Sequence, residues 1–180
     1  QNTNHALSTA GGNPSSLYEI GFEAQLLVDS TRKCVSNLLK CREDEIYFVG
    51  SGTEGNNTAI LGAAHARQKR GKKIITTTIE HPSVLETVKR LECEGFEAVY
   101  LKPQENGVIS IDDLKAAIDK NTVLVSMMLV NNETGAINPI REIAVGAKRK
   151  NPSVLVHTDA VQAFGKTEVK PSKLFADLLS

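Results

Sequence analysis

The run Val123-Leu124-Val125-Ser126-Met127-Met128-Leu129-Val130 is almost unbroken in apolar side chains. A strand with one wet face alternates polar and apolar residues, whereas one covered on both faces has no polar side to show. The run therefore predicts a central strand with helices above and below it. Downstream, Ile140, Ile143, Ala144 and Ala147 fall at helical spacing before Asn151-Pro152, and Val154 to His157 reads as the next strand. Upstream, Ser110 with Asp113 caps a helix through Ile118, and Ala98 to Leu101 is a short strand. Before these, Val84 to Glu94 is helical, closed by Gly95 and opened by a capping box of Ser83 with Glu86; Ile74 to Ile79 is a strand. Nearer the start, Ile46 to Val49 reads as a strand handing over through Gly50-Ser51-Gly52-Thr53 to a helix from Ala59 to Arg70, stopped by Gly71. Ala24, Leu27, Val28, Thr31, Val35, Leu38 and Leu39 mark an amphipathic helix after an irregular segment over residues 1–20.

Strands alternating with helices throughout predict an α/β fold with a mostly parallel sheet flanked by helices, since parallel neighbours need crossovers. A length of 180 residues with 41% hydrophobic content suits one domain over residues 1–180. Lys+Arg and Asp+Glu are both 21, so no net field draws in nucleic acid or an anionic membrane. No apolar run approaches the ~20 residues that cross a bilayer, and the polar start lacks a signal peptide's pattern. The expectation is a soluble, cytoplasmic protein. Cys34, Cys41 and Cys93 are odd in number with no C-x-x-C spacing, which argues against a disulfide framework or a metal site and for small buried hydrophobes.

In open parallel sheets ligands bind beyond the carboxyl ends of the strands, so the polar segments that follow strands are the ones to read. At Ser51-Gly52-Thr53 a strand meets a helix start, whose free N–H groups suit a phosphate; Gly52 lets the backbone approach and Thr53 adds a hydroxyl, though Thr53 also reads as a plain N-cap. Asp159, ending a buried type of strand, suits a protonated pyridine nitrogen, or else a cap or structural ion pair. Gln162 lies three residues on, as a ligand contact or a solvated side chain. His81, before Pro82, suits stacking on a ring and acid/base work, or a helix cap. Asn132 offers an amide to a ring hydroxyl or a substrate carboxylate, or only satisfies its own turn. Together these supply a phosphate cup, a ring-nitrogen partner, a stacking ring and amide donors, a set that matches pyridoxal 5'-phosphate. No G-x-G-x-x-G follows a strand and no G-x-x-x-x-G-K-[ST] is present, which excludes the common dinucleotide and triphosphate cradles.

Five ordered stretches carry a resemblance: Asn13-Pro14-Ser15-Ser16; Ser51-Gly52-Thr53-Glu54 with Asn57; Glu80-His81-Pro82-Ser83-Val84; Asn131-Asn132-Glu133-Thr134-Gly135; and His157-Thr158-Asp159-Ala160-Val161-Gln162 with Gly165-Lys166. On these the chain resembles the cysteine desulfurases and selenocysteine lyases, the class V branch of fold-type-I pyridoxal-phosphate enzymes. The resemblance implies that Gly52 and Thr53 bind the phosphate, His81 stacks on the ring and acts in catalysis, and Asp159 pairs with the ring nitrogen. It implies that Gln162 contacts the ring hydroxyl, and Asn132 that hydroxyl or the substrate. The implied reaction moves sulfur from cysteine, or selenium from selenocysteine, to an enzyme-bound persulfide, leaving alanine. The implied role is sulfur supply for iron–sulfur clusters, by a homodimer that hands sulfur to an acceptor protein. Another class V aminotransferase, or a non-catalytic cofactor-binding module, are the alternatives.

Two departures from the family's pattern matter. Tyr18 stands where many members carry His. The family's Ser-x-His-Lys, bearing the Schiff-base lysine, follows the segment resembling Ala176 to Ser180, where this sequence ends. The expectation is therefore a large-domain fragment that turns over no cysteine alone, checked by sulfide or alanine release. Lys166 matches the family's Gly-Lys and reads as structural.

Overall fold

Strand β3, Thr122–Ser126, is buried at every position, as its apolar run requires. The computed structural model describes residues 12–16 and 18–180. The other strands are β1, Lys73–Thr77, β2, Glu97–Leu101, β4, Leu155–Thr158, and β5, Leu178–Leu179. All pair in parallel, in the order β2-β1-β3-β4-β5. Both faces of the sheet are covered. Ile74 and Leu124 join one cluster with Ile60, Ala64, Val84, Val88 and Leu91 from helices α2, Gly52–Arg67, and α3, Pro82–Cys93. Ile75 and Val125, turned to the opposite face by strand alternation, are equally inaccessible. Beyond them α4, Ile111–Ala117, and α5, Ile140–Lys150, bury Leu114, Ile143, Ala144 and Ala147.

Contacts divide the chain into two compact units, one ending at Phe48 and the other running from Val49 to Ser180. The first holds α1, Glu19–Leu39, whose Gly21, Ala24, Ser36 and Leu39 are buried while Leu38 stays exposed. Most of the irregular segment expected over residues 1–20 lies outside the described residues. Within it, the Ser16 N–H donates to the Asn13 carbonyl at 2.9 Å, closing a turn.

Several local expectations are corrected. Residues 46–49 form no strand; Tyr47, Phe48 and Val49 are exposed, and among the described residues no neighbouring strand offers them a ladder, without which an apolar run has no reason to extend. The second helix starts at Gly52 rather than Ala59, because Ser51 caps it by accepting the Glu54 N–H at 3.2 Å while Glu54 Oε2 accepts the Gly50 N–H at 2.6 Å. Thr53 is therefore not the cap. The third helix is capped by His81, whose Nδ1 accepts the Ser83 N–H at 3.1 Å, so Ser83 and Glu86 form no capping box; Glu86 pairs with Lys89 instead. β3 ends at Ser126 rather than Val130; the Met127 and Leu129 N–H groups still donate to the His157 and Asp159 carbonyls at 3.1 and 2.9 Å, but outside a regular strand. Cys34 and Cys93 are exposed rather than buried, on helix faces that the register turns outward, and Cys41 is half-buried. The expected cap at Ser110 does form: its Oγ accepts the Asp113 N–H at 3.2 Å. Ser110→Ala is expected to cost about 1 kcal/mol in urea unfolding, and Ser110→Asp much less; equal losses would show that the hydroxyl does not cap.

Candidate active site

Parallel strands present their carboxyl ends on one rim, and the strand order reverses between β1 and β3, where two loops diverge and leave a crevice. A cavity of about 230 Å³ opens there, lined by Gly52, Thr53 and Asn56 from α2, His81 and Ser83 after β1, Asn132 after β3, and Asp159 and Gln162 after β4. All six residues singled out from the sequence thus share one cavity. A larger, open concavity of about 560 Å³ between α4 and α5 holds Lys115, Arg141, Arg149 and Lys150. None of those charged side chains is buried, so it lacks the fixed polar groups that orient a ligand, and the smaller cavity is the candidate site.

At one end of that cavity lies the start of α2. Capping engages the N–H of Glu54, and that of Gly55 returns to the Ser51 carbonyl, but among the described residues the N–H groups of Gly52 and Thr53 make no hydrogen bond. Two free donors on a helix's positive end suit an anion. Gly52 keeps this approach open: a Cβ there would come within 3.2 Å of Val161 Cγ2.

At the other end Asp159 is 7% exposed. Its Oδ2 accepts Asn56 Nδ2 at 2.8 Å and its Oδ1 accepts the Val161 N–H at 3.0 Å. Among the described residues no Lys, Arg or His forms an ion pair with it. A nearly buried carboxylate on a cavity wall without a cation leaves room for a cationic group on the ligand. Around it lie two shifted groups. Burial pushes the Glu80 carboxyl up to about 7, against hydrogen bonds from Thr77 Oγ1 at 2.7 Å and the Met128 N–H at 3.1 Å, with the Asp159 charge adding to the rise. Burial holds the His157 imidazole down to about 4, although Asp159 pulls the other way; its ring nitrogens meet Ser126 Oγ at 2.8 Å and Ser180 Oγ at 2.9 Å.

The rim is built from the loops. Asn131 Oδ1 accepts the N–H groups of Glu133 and Thr134 at 3.0 and 2.8 Å, and Asn131 Nδ2 donates to the Ile79 carbonyl at 3.0 Å. Asn131 thereby satisfies the turn, with Gly135 at φ +73° closing it, and Asn132 is left on the cavity wall. Lys166 donates to Gln162 Oε1 at 3.0 Å, which leaves the Gln162 Nε2 as the free donor. The residues that sequence reasoning missed are Asn56, Ser83 and Glu80. Asn56 and Glu80 lie inside the quoted motifs or beside them, but only buried contacts distinguish them from ordinary helix and loop polar residues.

Fold and cavity together define an α/β protein with a cavity at the carboxyl rim of its sheet that offers a helix start at one end and a carboxylate at the other. The chain belongs to the class-V aminotransferase family, whose model matches residues 1–180. The family depends on pyridoxal phosphate. The chain is 46% identical over 169 residues to cysteine desulfurase IscS of Clostridium botulinum, covering 94% of this chain and 42% of that protein. To cysteine desulfurase IscS of Methanosarcina thermophila it is 47% identical over 169 residues, covering 94% and 41%. Among solved structures, a NifS-like protein superposes with a TM-score of 0.93 at 38% identity, over 97% of this chain and 48% of that one. SspA in complex with cysteine superposes with a TM-score of 0.91 at 34% identity, over 97% and 50%. The chain thus spans about two fifths of the length of the curated relatives it matches. Among the described residues no helix is long and apolar enough to cross a membrane, and no cluster of three or more His, Cys, Asp or Glu is placed to hold a metal.

Proposed function

We propose that the protein is a pyridoxal-phosphate-dependent cysteine desulfurase and that residues 1–180 contribute the cofactor-binding part of its large domain. The observation that carries this reading is the pairing, in one cavity, of two free N–H groups at Gly52 and Thr53 with the cation-free carboxylate of Asp159. A phosphate dianion and a protonated pyridine nitrogen are complementary to these two ends. In this reading Gly52 and Thr53 hold the phosphate, Asp159 pairs with the ring nitrogen, and His81 stacks on the ring and serves as an acid or base. Gln162 offers its Nε2 to the ring hydroxyl, and Asn132 faces that hydroxyl or the substrate. When bound, the cofactor supplies an electron sink for bonds broken at the amino acid. Cysteine as substrate is supported by relatives titled cysteine desulfurase and by a neighbour solved with cysteine. A homodimer in the cytoplasm that passes sulfur to an acceptor protein for iron–sulfur clusters completes the proposal.

Two measurements test it. The full-length protein that carries residues 1–180 is expected to form alanine from cysteine with added pyridoxal phosphate; failure to do so while transaminating another amino acid would move it elsewhere in the family. For the phosphate end, Gly52→Val is expected to weaken binding of pyridoxamine 5'-phosphate at least about tenfold, the scale of a lost hydrogen bond to a charged group. Binding of unphosphorylated pyridoxamine should stay unchanged. Equal losses for both ligands would remove the phosphate from this end of the cavity.

A further inference from the structure

Asn56 is buried, 1% exposed, and Nδ2 uses both of its hydrogens: one on Asp159 Oδ2 at 2.8 Å, the other on Ser83 Oγ at 2.9 Å. From Ser83 the connection continues to His81, whose Nδ1 lies 2.8 Å from Ser83 Oγ and 3.1 Å from the Ser83 nitrogen. The proton directions follow from the fixed donors. A backbone N–H only donates, so His81 Nδ1 is an acceptor and the neutral ring carries its proton on Nε2. Asn56 Nδ2 also only donates, so Ser83 Oγ accepts from it and turns its own O–H to His81 Nδ1. Every bond in the chain is polarised outward from Asn56.

The arrangement leaves Asn56 Oδ1 buried without a partner among the described residues. Such a carbonyl is costly, and a buried unsatisfied group in a folded protein asks for a reason. The structural asparagines of the same chain differ: Asn131 and Asn151 engage oxygen and nitrogen alike. Turning the Asn56 amide over would bring Oδ1 to the Ser83 hydroxyl but set it against an Asp159 oxygen, so Asp159 holds the amide in its orientation.

We infer that Asn56 is a positioning residue that joins Asp159 and His81 into one hydrogen-bonded unit, so that the carboxylate facing the ligand ring and the tautomer of the imidazole beside it are set together. The inference rests on the proposed function for the ligand the unit acts on, while the unit itself is testable without one. In the protein carrying 15N-labelled histidine and no added ligand, His81 Nδ1 is expected to be unprotonated and hydrogen-bonded. Asn56→Leu should move its resonance toward that of a free imidazole, with circular dichroism unchanged. A protonated Nδ1 on neutral His81 in the unsubstituted protein overturns the inference, whether or not the variants fold.

The second readout is binding of pyridoxamine 5'-phosphate, followed by its fluorescence, to Ser83→Ala, Asp159→Asn and the double variant. The two effects should be coupled by about fivefold, within the range for residues sharing one network. That coupling should vanish in the Asn56→Leu background. Independent effects with Asn56 in place would overturn the inference. Failure of the unsubstituted protein to bind this ligand would instead overturn the site assignment, and the nitrogen resonance would then decide on Asn56.

Discussion

Asp159→Asn is expected to weaken binding of pyridoxamine 5'-phosphate by about 10- to 150-fold, the 1.5–3 kcal/mol of a hydrogen bond to a charged group. The substitution keeps the size of the side chain but only one of the two accepting oxygens, Oδ2 for Asn56 Nδ2 at 2.8 Å and Oδ1 for the Val161 N–H at 3.0 Å, so one of these donors loses its acceptor. It also removes the negative charge, and with it the partner of a protonated ring nitrogen. Because Asp159 is nearly buried and no cationic side chain pairs with it, no salt bridge within the described chain is lost and the fold should remain. In the full-length protein, alanine formation from cysteine should fall by roughly 100- to 1,000-fold, on the order of losing one group that stabilises developing charge. A change in affinity below about threefold, with the fold intact, would place the ligand ring away from Asp159.

The second large effect concerns pH. Glu80 titrates near 7 in the folded protein against an ordinary 4.5, so between those values the folded state holds a proton that the unfolded state has released. Its contribution to stability is complete below pH 4.5 and is lost as pH rises through 7, a change of about 3 kcal/mol. His157 runs the other way. With its imidazole held down to about 4 from 6.5, the unfolded state takes up the proton first, and stability is lost as pH falls from 6.5 toward 4, again by about 3 kcal/mol. Between pH 4.5 and 6.5 the two slopes oppose each other. Glu80→Gln, which retains an oxygen for Thr77 and the Met128 N–H, should unmask the His157 slope, so that stability climbs with pH across this window. His157→Gln should unmask the opposite slope. Urea unfolding at half-unit pH steps is the measurement; parallel profiles for the two variants would refute the assignment of both groups.

Much of the site was readable because motif residues follow strands. Once Ile74 to Ile79 and Val154 to His157 read as parallel strands, His81 and Asp159 had to lie on the same rim. The strand expected at residues 46–49 failed for the converse reason: an apolar run signals a preference for burial, and only a neighbour with free N–H and C=O groups makes it a strand. The cap at His81, which the sequence offered only as the alternative to stacking, forms with an imidazole nitrogen in the place usually held by a Ser or Asp oxygen.

By itself the sequence determined the alternation of strand and helix, hence a parallel sheet with both faces covered, and the chemical types on its carboxyl rim. These follow from periodicity and from residue chemistry, which are local. Only the tertiary structure decided that Asn56 meets Asp159 across 103 positions and Ser83 across 27. It alone decided that Glu80 and His157 are buried deeply enough to exchange their ordinary titration ranges, because hydrogen-bond partnership and desolvation depend on how helices pack on the sheet rather than on neighbours along the chain.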